Sequence, residues 1–153
     1  MPVDPGVKRF FGTLVWRSWL GGGRLRAGED VERRGFEGCV NLVFGDSADE
    51  AWHCRLSGKG VRFVAGPTEN PVGTVRLSAD TFLQLLSGRT SLSTAQLTGR
   101  VLVEGDGHCG MLLASLIGQS RLQAARRGLR GWLTRRFLRS VLRRSPTRYE
   151  LQL

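Results

Sequence analysis

Residues 72–88 read Val-Gly-Thr-Val-Arg-Leu-Ser-Ala-Asp-Thr-Phe-Leu-Gln-Leu-Leu-Ser-Gly, and within them the apolar spacing changes period. Val75 and Leu77 sit two apart with Arg76 between them, the alternation of a half-buried strand. Beyond Ser78, the spacing of Phe82, Leu85 and Leu86 is that of one helix face. Ser78 stands where an N-cap belongs, Asp80 lies in the first turn, and Gly88 follows as a stop. The stretch predicts a strand over 72–77 and a helix over 79–87 with almost no loop between them.

Upstream, three more runs alternate. Val40, Leu42 and Phe44 share a face in 39–44; Trp52, Cys54 and Leu56 alternate with His53 and Arg55 in 51–56; Val61, Phe63 and Ala65 alternate with Arg62 and Val64 in 61–65. Gly45-Asp46-Ser47, Ser57-Gly58-Lys59-Gly60 and Gly66-Pro67-Thr68 are turn chemistry, so the four runs predict an antiparallel meander with one apolar face. Downstream come a short helix near 92–97, a fifth strand over 100–104 with Val101 and Val103 inward, and a helix over 111–117 that Asp106 can cap. In that last helix Met111, Leu112, Leu113, Leu116 and Ile117 leave little polar surface, so it needs burial on more than one side. The fold class is α+β: a five-stranded, mostly antiparallel sheet covered by helices. An internal apolar site fits this pattern, and so does an ordinary filled core.

A chain of 153 residues is one domain's worth, with a net charge of +10. The charge is unevenly placed. Residues 36–117 hold six basic and eight acidic side chains, whereas 118–153 hold ten arginines against the single Glu150. Only Lys8 and Lys59 are lysines, and guanidinium groups suit bidentate contact with phosphate. Cys39, Cys54 and Cys109 match no disulfide framework, which points to a reducing compartment and a cytoplasmic location. The apolar segment Phe10 to Leu20 is too short to span a bilayer and is interrupted by Arg17, so it reads as a surface-active or packing helix ahead of Gly21-Gly22-Gly23.

With those elements in that order, Val75-Arg76-Leu77-Ser78-Ala79-Asp80-Thr81-Phe82, Leu85-Leu86-Ser87-Gly88-Arg89 and Thr98-Gly99-Arg100-Val101-Leu102-Val103-Glu104-Gly105-Asp106 resemble the sterol carrier protein type-2 domain family over about residues 36–117. The resemblance implies a sheet and helices enclosing a tunnel for fatty acyl chains, sterols or similar lipids. Gln96 stands where family members usually carry a large apolar residue, and the chain ends Leu151-Gln152-Leu153 without a Ser-Lys-Leu type peroxisomal signal. Some bacterial members with a helical tail assist quinone biosynthesis, and Glu104-Gly105-Asp106 is similar to theirs, which adds a prenyl-quinone precursor to the implied cargoes. The residues expected to line the pocket are Trp52, Leu56 and Phe63 on the sheet, Phe82 and Leu86 on the first core helix, Leu97, and Met111, Leu112 and Leu116 on the last. Three parts follow: an N-terminal apolar helix and linker (1–35), a lipid-binding domain (36–117) and an arginine-rich extension (118–153).

Two short motifs carry less than they suggest. Gly105-Asp106-Gly107-His108-Cys109-Gly110 fits G-x-G-x-x-G between a strand and a helix. A dinucleotide site also needs a second parallel strand and an acidic residue about 20 positions on, and an arginine-rich stretch follows instead. His53 and Cys54 are adjacent on a strand and so point to opposite faces, which argues against a shared metal. No acid–base pair stands out, and a non-enzyme without metal or cofactor is expected.

In the extension, periodicity and charge agree. Leu122, Ala125, Leu129, Trp132 and Leu133 form one helical stripe, and Leu133, Phe137, Leu138, Val141 and Leu142 form a second. The two are out of phase by roughly a third of a turn, which predicts two amphipathic helices with a break near 128–131. Arg126, Arg127, Arg130, Trp132, Arg135, Arg136, Phe137 and Arg139 are the expected contacts with an anionic membrane, giving a peripheral association. A helix packed on the domain with its arginines in water fits the same pattern. Nucleic-acid binding through the arginines is the rival, disfavoured because large aliphatic side chains recur among them. A scaffold with a filled core is the third reading.

Overall fold

The structure, a computed structural model, describes residues 5–20, 38–44, 51–57, 60–107, 109–144 and 149–152. The expected turns at 45–47 and 58–59, the linker through residue 35 and His108 lie outside the described residues. Five helices and five strands are described: α1 (Pro5–Leu20), β1 (Gly38–Phe44), β2 (Ala51–Ser57), β3 (Gly60–Ala65), β4 (Gly73–Leu77), α2 (Ala79–Ser87), α3 (Leu92–Leu97), β5 (Val101–Gly105), α4 (Cys109–Ala125) and α5 (Leu129–Arg144).

The five strands make one mixed sheet in the order β3-β2-β1-β4-β5. It is mostly antiparallel, but the expected simple meander needs correction, because β4 does not follow β3 across the sheet. It pairs parallel with β1, Leu42 opposite Val75 and Phe44 opposite Leu77. The link 66–72 makes this possible by running back along the sheet, held where Thr68 N–H donates to Asn41 Oδ1 at 2.9 Å, Asn41 Nδ2 donates to the Thr68 carbonyl at 3.1 Å, and Val72 N–H donates to Cys39 at 2.8 Å. A parallel neighbour needs a crossover, and residues 66–72 are that crossover.

The period change at Ser78 is realised as read. Ser78 Oγ accepts from Thr81 N–H at 3.0 Å, and Gly88 closes α2 in the left-handed region at φ 89° with its N–H on Gln84 and Leu85. Such a cap is worth about 1 kcal/mol. α3 repeats the device with Ser91 accepting from Thr94 N–H at 3.2 Å.

Register aligns one apolar face across the sheet: Leu42, Trp52, Val75 and Val103 lie in one row, and Val40, Cys54 and Phe63 in the next. α2 and α4 cover this face with Phe82, Leu83, Leu86, Leu112, Leu113 and Ile117 all buried. α1 also lies on it, through Val7, Phe10, Phe11 and Leu14 at the i, i+3, i+4, i+7 spacing of a core stripe. The extension is not a separate unit. α4 runs unbroken from Cys109 through residue 118 to Ala125, and α5 packs on α1 and α4 with Leu138, Val141 and Leu142 buried. The break between the two helices falls at residues 126–128, where Gly128 takes φ 98°.

Candidate functional site

Of the nine side chains expected at an internal site, six are buried in one core cluster: Trp52, Leu56, Phe63, Phe82, Leu86 and Leu112. Met111 and Leu116 are half-buried, Leu116 against that cluster. Leu97 is corrected. It stands 88% exposed, because α3 turns only Ala95 inward.

The interior between sheet and helices holds two rings that the sequence reading did not assign to it. Phe11 stacks on Trp52 with ring centroids 5.0 Å apart at 24°, and it also meets Phe44 at 5.2 Å, Phe82 at 5.3 Å and Phe63 at 6.3 Å. Phe10 reaches Phe82 at 5.2 Å and Phe137 of α5 at 6.1 Å. Both are fully buried. Thus α1 inserts its aromatic pair among the expected lining residues. The spacing of Val7, Phe10, Phe11 and Leu14 carried that signal, although it does not say which surface the stripe meets.

Two thiols border the same interior. Cys54 Sγ donates weakly to the Val40 carbonyl at 3.7 Å, and burial pushes its thiol far up. Cys109, buried at the start of α4, is pushed up to about 11 by burial and then by the nearby Asp106 carboxylate. Protonated, buried thiols are inert packing groups. His53 occupies the opposite face, where Nδ1 donates to the Gly66 carbonyl at 2.8 Å and Nε2 is buried without a partner. Among the described residues no group of three metal-ligating side chains converges, and no helix is long and apolar enough to cross a membrane.

A strap closes the outside of α2. Tyr149 O–H donates to Asp80, Gln84 Nε2 donates to Asp80 at 2.9 Å, Gln152 N–H donates to the Ser87 carbonyl at 2.8 Å, and Arg121 spans Leu86 (3.3 Å) and Gln152 (2.6 Å). Burial first, and Asp80 second, raise the Tyr149 hydroxyl above its usual range.

The expected membrane residues divide. Arg126, Arg127, Arg130, Arg136 and Arg139 are exposed, as is Trp132, over which Arg136 stacks at 5.4 Å. Two are corrected. Arg135 Nη1 donates to the carbonyls of Ala124 (2.8 Å) and Arg126 (3.0 Å), capping the C-terminus of α4. Phe137 turns inward onto Phe10 because the buried stripe of α5 runs through Leu138, Val141 and Leu142. What the corner between α4 and α5 does expose is apolar: Leu122, Leu129, Trp132 and Leu133, from 47% exposed at Trp132 to 70% at Leu129.

A comparison with protein families matches residues 29–118, more than half of the chain, to the SCP-2 sterol transfer family. The chain belongs to this family. It is therefore a lipid-binding domain of the sterol-carrier type, with the α+β fold and mixed sheet described above. One solved structure agrees on the fold, and two others are similar to this chain at lower scores. A palmitated SCP2L2 from Aedes aegypti shares 18% identity, with 72% of this chain and 93% of that one covered and a TM-score of 0.50. The sterol carrier protein domain 2 of Helicoverpa armigera shares 19% identity over 84% of this chain and 96% of its own, with a TM-score of 0.49. A stereoselective inverting sec-alkylsulfatase from a Pseudomonas species shares 24% identity over 69% of this chain with a TM-score of 0.48, and the SCP-2 chain spans only 15% of its length. A search among curated proteins finds no match.

Proposed function

We propose that this SCP-2 domain carries a long-chain non-polar lipid, acyl, sterol or prenyl-quinone in type, between the apolar face of its sheet and α2 and α4, and exchanges it while docked on an anionic membrane. The observation that supports the carrier reading is the nature of the filling: rings from a single helix, α1, occupy the space between Trp52, Phe63 and Phe82. A filling that belongs to one element can be exchanged for a ligand when that element shifts.

Magnitudes favour such an exchange for a long chain. Burying about sixteen methylenes is worth roughly 12 kcal/mol before ordering costs, whereas exposing two phenylalanine side chains costs about 3–6 kcal/mol. A short apolar molecule of four or five carbons does not exceed the rings' own burial. The selectivity is therefore for length, and the work is binding and transfer, with no residue assigned to catalysis.

The docking reading rests on the α4–α5 corner, where Leu122, Leu129, Trp132 and Leu133 protrude among Arg126, Arg127, Arg130 and Arg136. Apolar side chains that enter the acyl boundary, surrounded by guanidinium groups at headgroup level, fit a membrane better than a nucleic acid. The test is transfer of a fluorescent acyl probe between anionic vesicles. Leu129→Ser/Trp132→Ser/Leu133→Ser keeps every charge, and is expected to bind the probe in solution as the wild type does while losing vesicle co-sedimentation and transfer. Unchanged transfer by this variant removes the docking assignment; absence of saturable probe uptake by the wild type removes the carrier assignment.

A further inference from the structure

Where α1 meets α5, a groove of about 600 Å³ is lined by Arg126 and Arg130, with Thr13 at its α1 wall and Leu133 and Phe137 as apolar floor. A second groove, of about 440 Å³, shares Leu133 and Phe137 and is lined also by Arg9, Arg136 and Arg143. Among the described residues neither groove is lined by a carboxylate. Several arginines are neutralised or employed: Arg76 pairs with Glu104 at 3.2 Å, while Arg121 and Arg135 cap carbonyls. Among the described residues Arg126 and Arg130 have no such partner. Two guanidinium groups lining one groove leave positive charge there that an entering anion neutralises.

We propose that the larger groove binds the phosphate of one anionic phospholipid, Arg126 and Arg130 holding the phosphate oxygens and an acyl chain lying along Leu133. This deepens the membrane reading above and rests on it. The floor argues for a lipid: a free phosphate or a nucleic-acid backbone has no use for Leu133 and Phe137, whereas a phospholipid presents its first methylenes within a bond or two of its charge. Chemistry agrees, since the planar guanidinium fork matches phosphate oxygens in pairs. Thr134 already donates its hydroxyl to the Arg130 carbonyl at 2.9 Å, so Thr13 is the hydroxyl donor left to the site. Depth also agrees. Arg130 is one residue from Leu129 and about one turn, roughly 5 Å, from Leu133, so a corner sunk about 5–10 Å into the interface brings the groove to the phosphates.

The probe is dihexanoyl phosphatidylglycerol below its micellar concentration, titrated into the full chain and followed by the amide NMR shifts of Thr13 and Thr134. Dihexanoyl phosphatidylcholine, inorganic phosphate and a single-stranded DNA oligonucleotide serve as competing arms. The expected result is saturable binding of the phosphatidylglycerol, weakened on the order of tenfold or more in Arg126→Gln/Arg130→Gln and changed less than about twofold in Arg55→Gln/Arg144→Gln, which removes equal charge from exposed positions outside the groove. Arg126→Lys/Arg130→Lys should fall between, because an ammonium keeps charge without the fork. Thermal unfolding checks that each variant folds. Equal weakening by both glutamine pairs, absence of saturable binding, or competition by inorganic phosphate or DNA at the lipid's own affinity overturns the proposal. Acyl-probe uptake into the interior and loss of vesicle binding by Leu129→Ser/Trp132→Ser, which spares Leu133 of the groove, are separate readouts. If they fail while groove binding persists, the carrier or docking reading falls and the groove stands.

Discussion

Replacing Phe11 with alanine separates stability from binding in a way few core substitutions do. The side chain is fully buried, with four aromatic neighbours beyond Phe10 between 5.0 and 6.3 Å. Removing it takes away a phenyl group from a site whose walls are three strands and a helix, so collapse around the gap is limited, and a loss of about 3–5 kcal/mol in unfolding free energy is expected. If the ring competes with the cargo, its removal also deletes the cost of displacing it. That cost is about 1.5–3 kcal/mol, which becomes roughly ten- to a hundredfold tighter binding of a long acyl probe. Urea denaturation followed by circular dichroism gives the first quantity, and fluorescent fatty-acid titration well below the transition gives the second. The pairing of a less stable protein with a tighter one is the signature. A Phe11→Ala variant that is destabilised as expected but binds the probe no better, or more weakly, refutes the displacement argument and makes Phe11 a fixed wall. Phe10→Ala is the companion: it stacks on Phe137 as well as Phe82, so its loss also loosens α1 from α5.

Three further outcomes follow from single positions. Gly73→Ala should cost about 1–3 kcal/mol by urea titration, since a Cβ there collides with Cys109 Sγ and lies 2.9 Å from the Glu104 carbonyl oxygen. Arg135→Gln should lower stability by about 1–2 kcal/mol through the two carbonyls it leaves uncapped, with vesicle binding changed no more than by loss of any one exposed charge; a selective loss of vesicle binding with stability intact would return Arg135 to the membrane face. Because the Cys109 thiol is raised from 9.0 to about 11, and the Cys54 thiol and Tyr149 hydroxyl are raised too, the folded state holds protons that the unfolded chain releases first. The stability these groups contribute is complete below about pH 9 and is lost as pH rises toward 11, so the urea midpoint should fall across that range, and native thiolate absorbance should show Cys109 titrating near its raised value.

How much of this was legible in the sequence depends on whether a signal was local. Ser78 and Gly88 bracket α2 as read because a cap is satisfied by amides three or four residues away. The apolar face of Leu42, Trp52 and Phe63 was readable for the same reason: alternation is a property of one strand at a time. Strand order was not. Nothing in residues 66–72 alone says that they return to β1, because the bonds that hold them there belong to Asn41 and Cys39, some thirty residues away. The family resemblance supplied a five-stranded sheet covered by helices but not the rings that pack on its apolar face.

The extension shows the same limit at the level of function. The heptad-like run Phe137, Leu138, Val141 and Leu142 reads equally as a membrane face or a packing face, since both are apolar stripes on a basic helix. Only the partner decides, and the partner is α1, placed by Phe10 and Phe11. Once α1 is seated, the inward stripe is used, and the side chains left over, Leu129, Trp132 and Leu133, are those one helical stripe could not accommodate. Their exposure is a cost at the surface of a free domain, about 25 cal/mol for each square ångström of apolar area in water, and that cost is removed when the corner enters an interface. The aromatic pair inside and the apolar corner outside are thus joined through α1 and α5: Phe10 touches both the interior, at Phe82, and α5, at Phe137. A movement of α5 cannot leave Phe10 in place without breaking the Phe10–Phe137 stack, so under the proposed docking a shift of α5 would be felt in the interior.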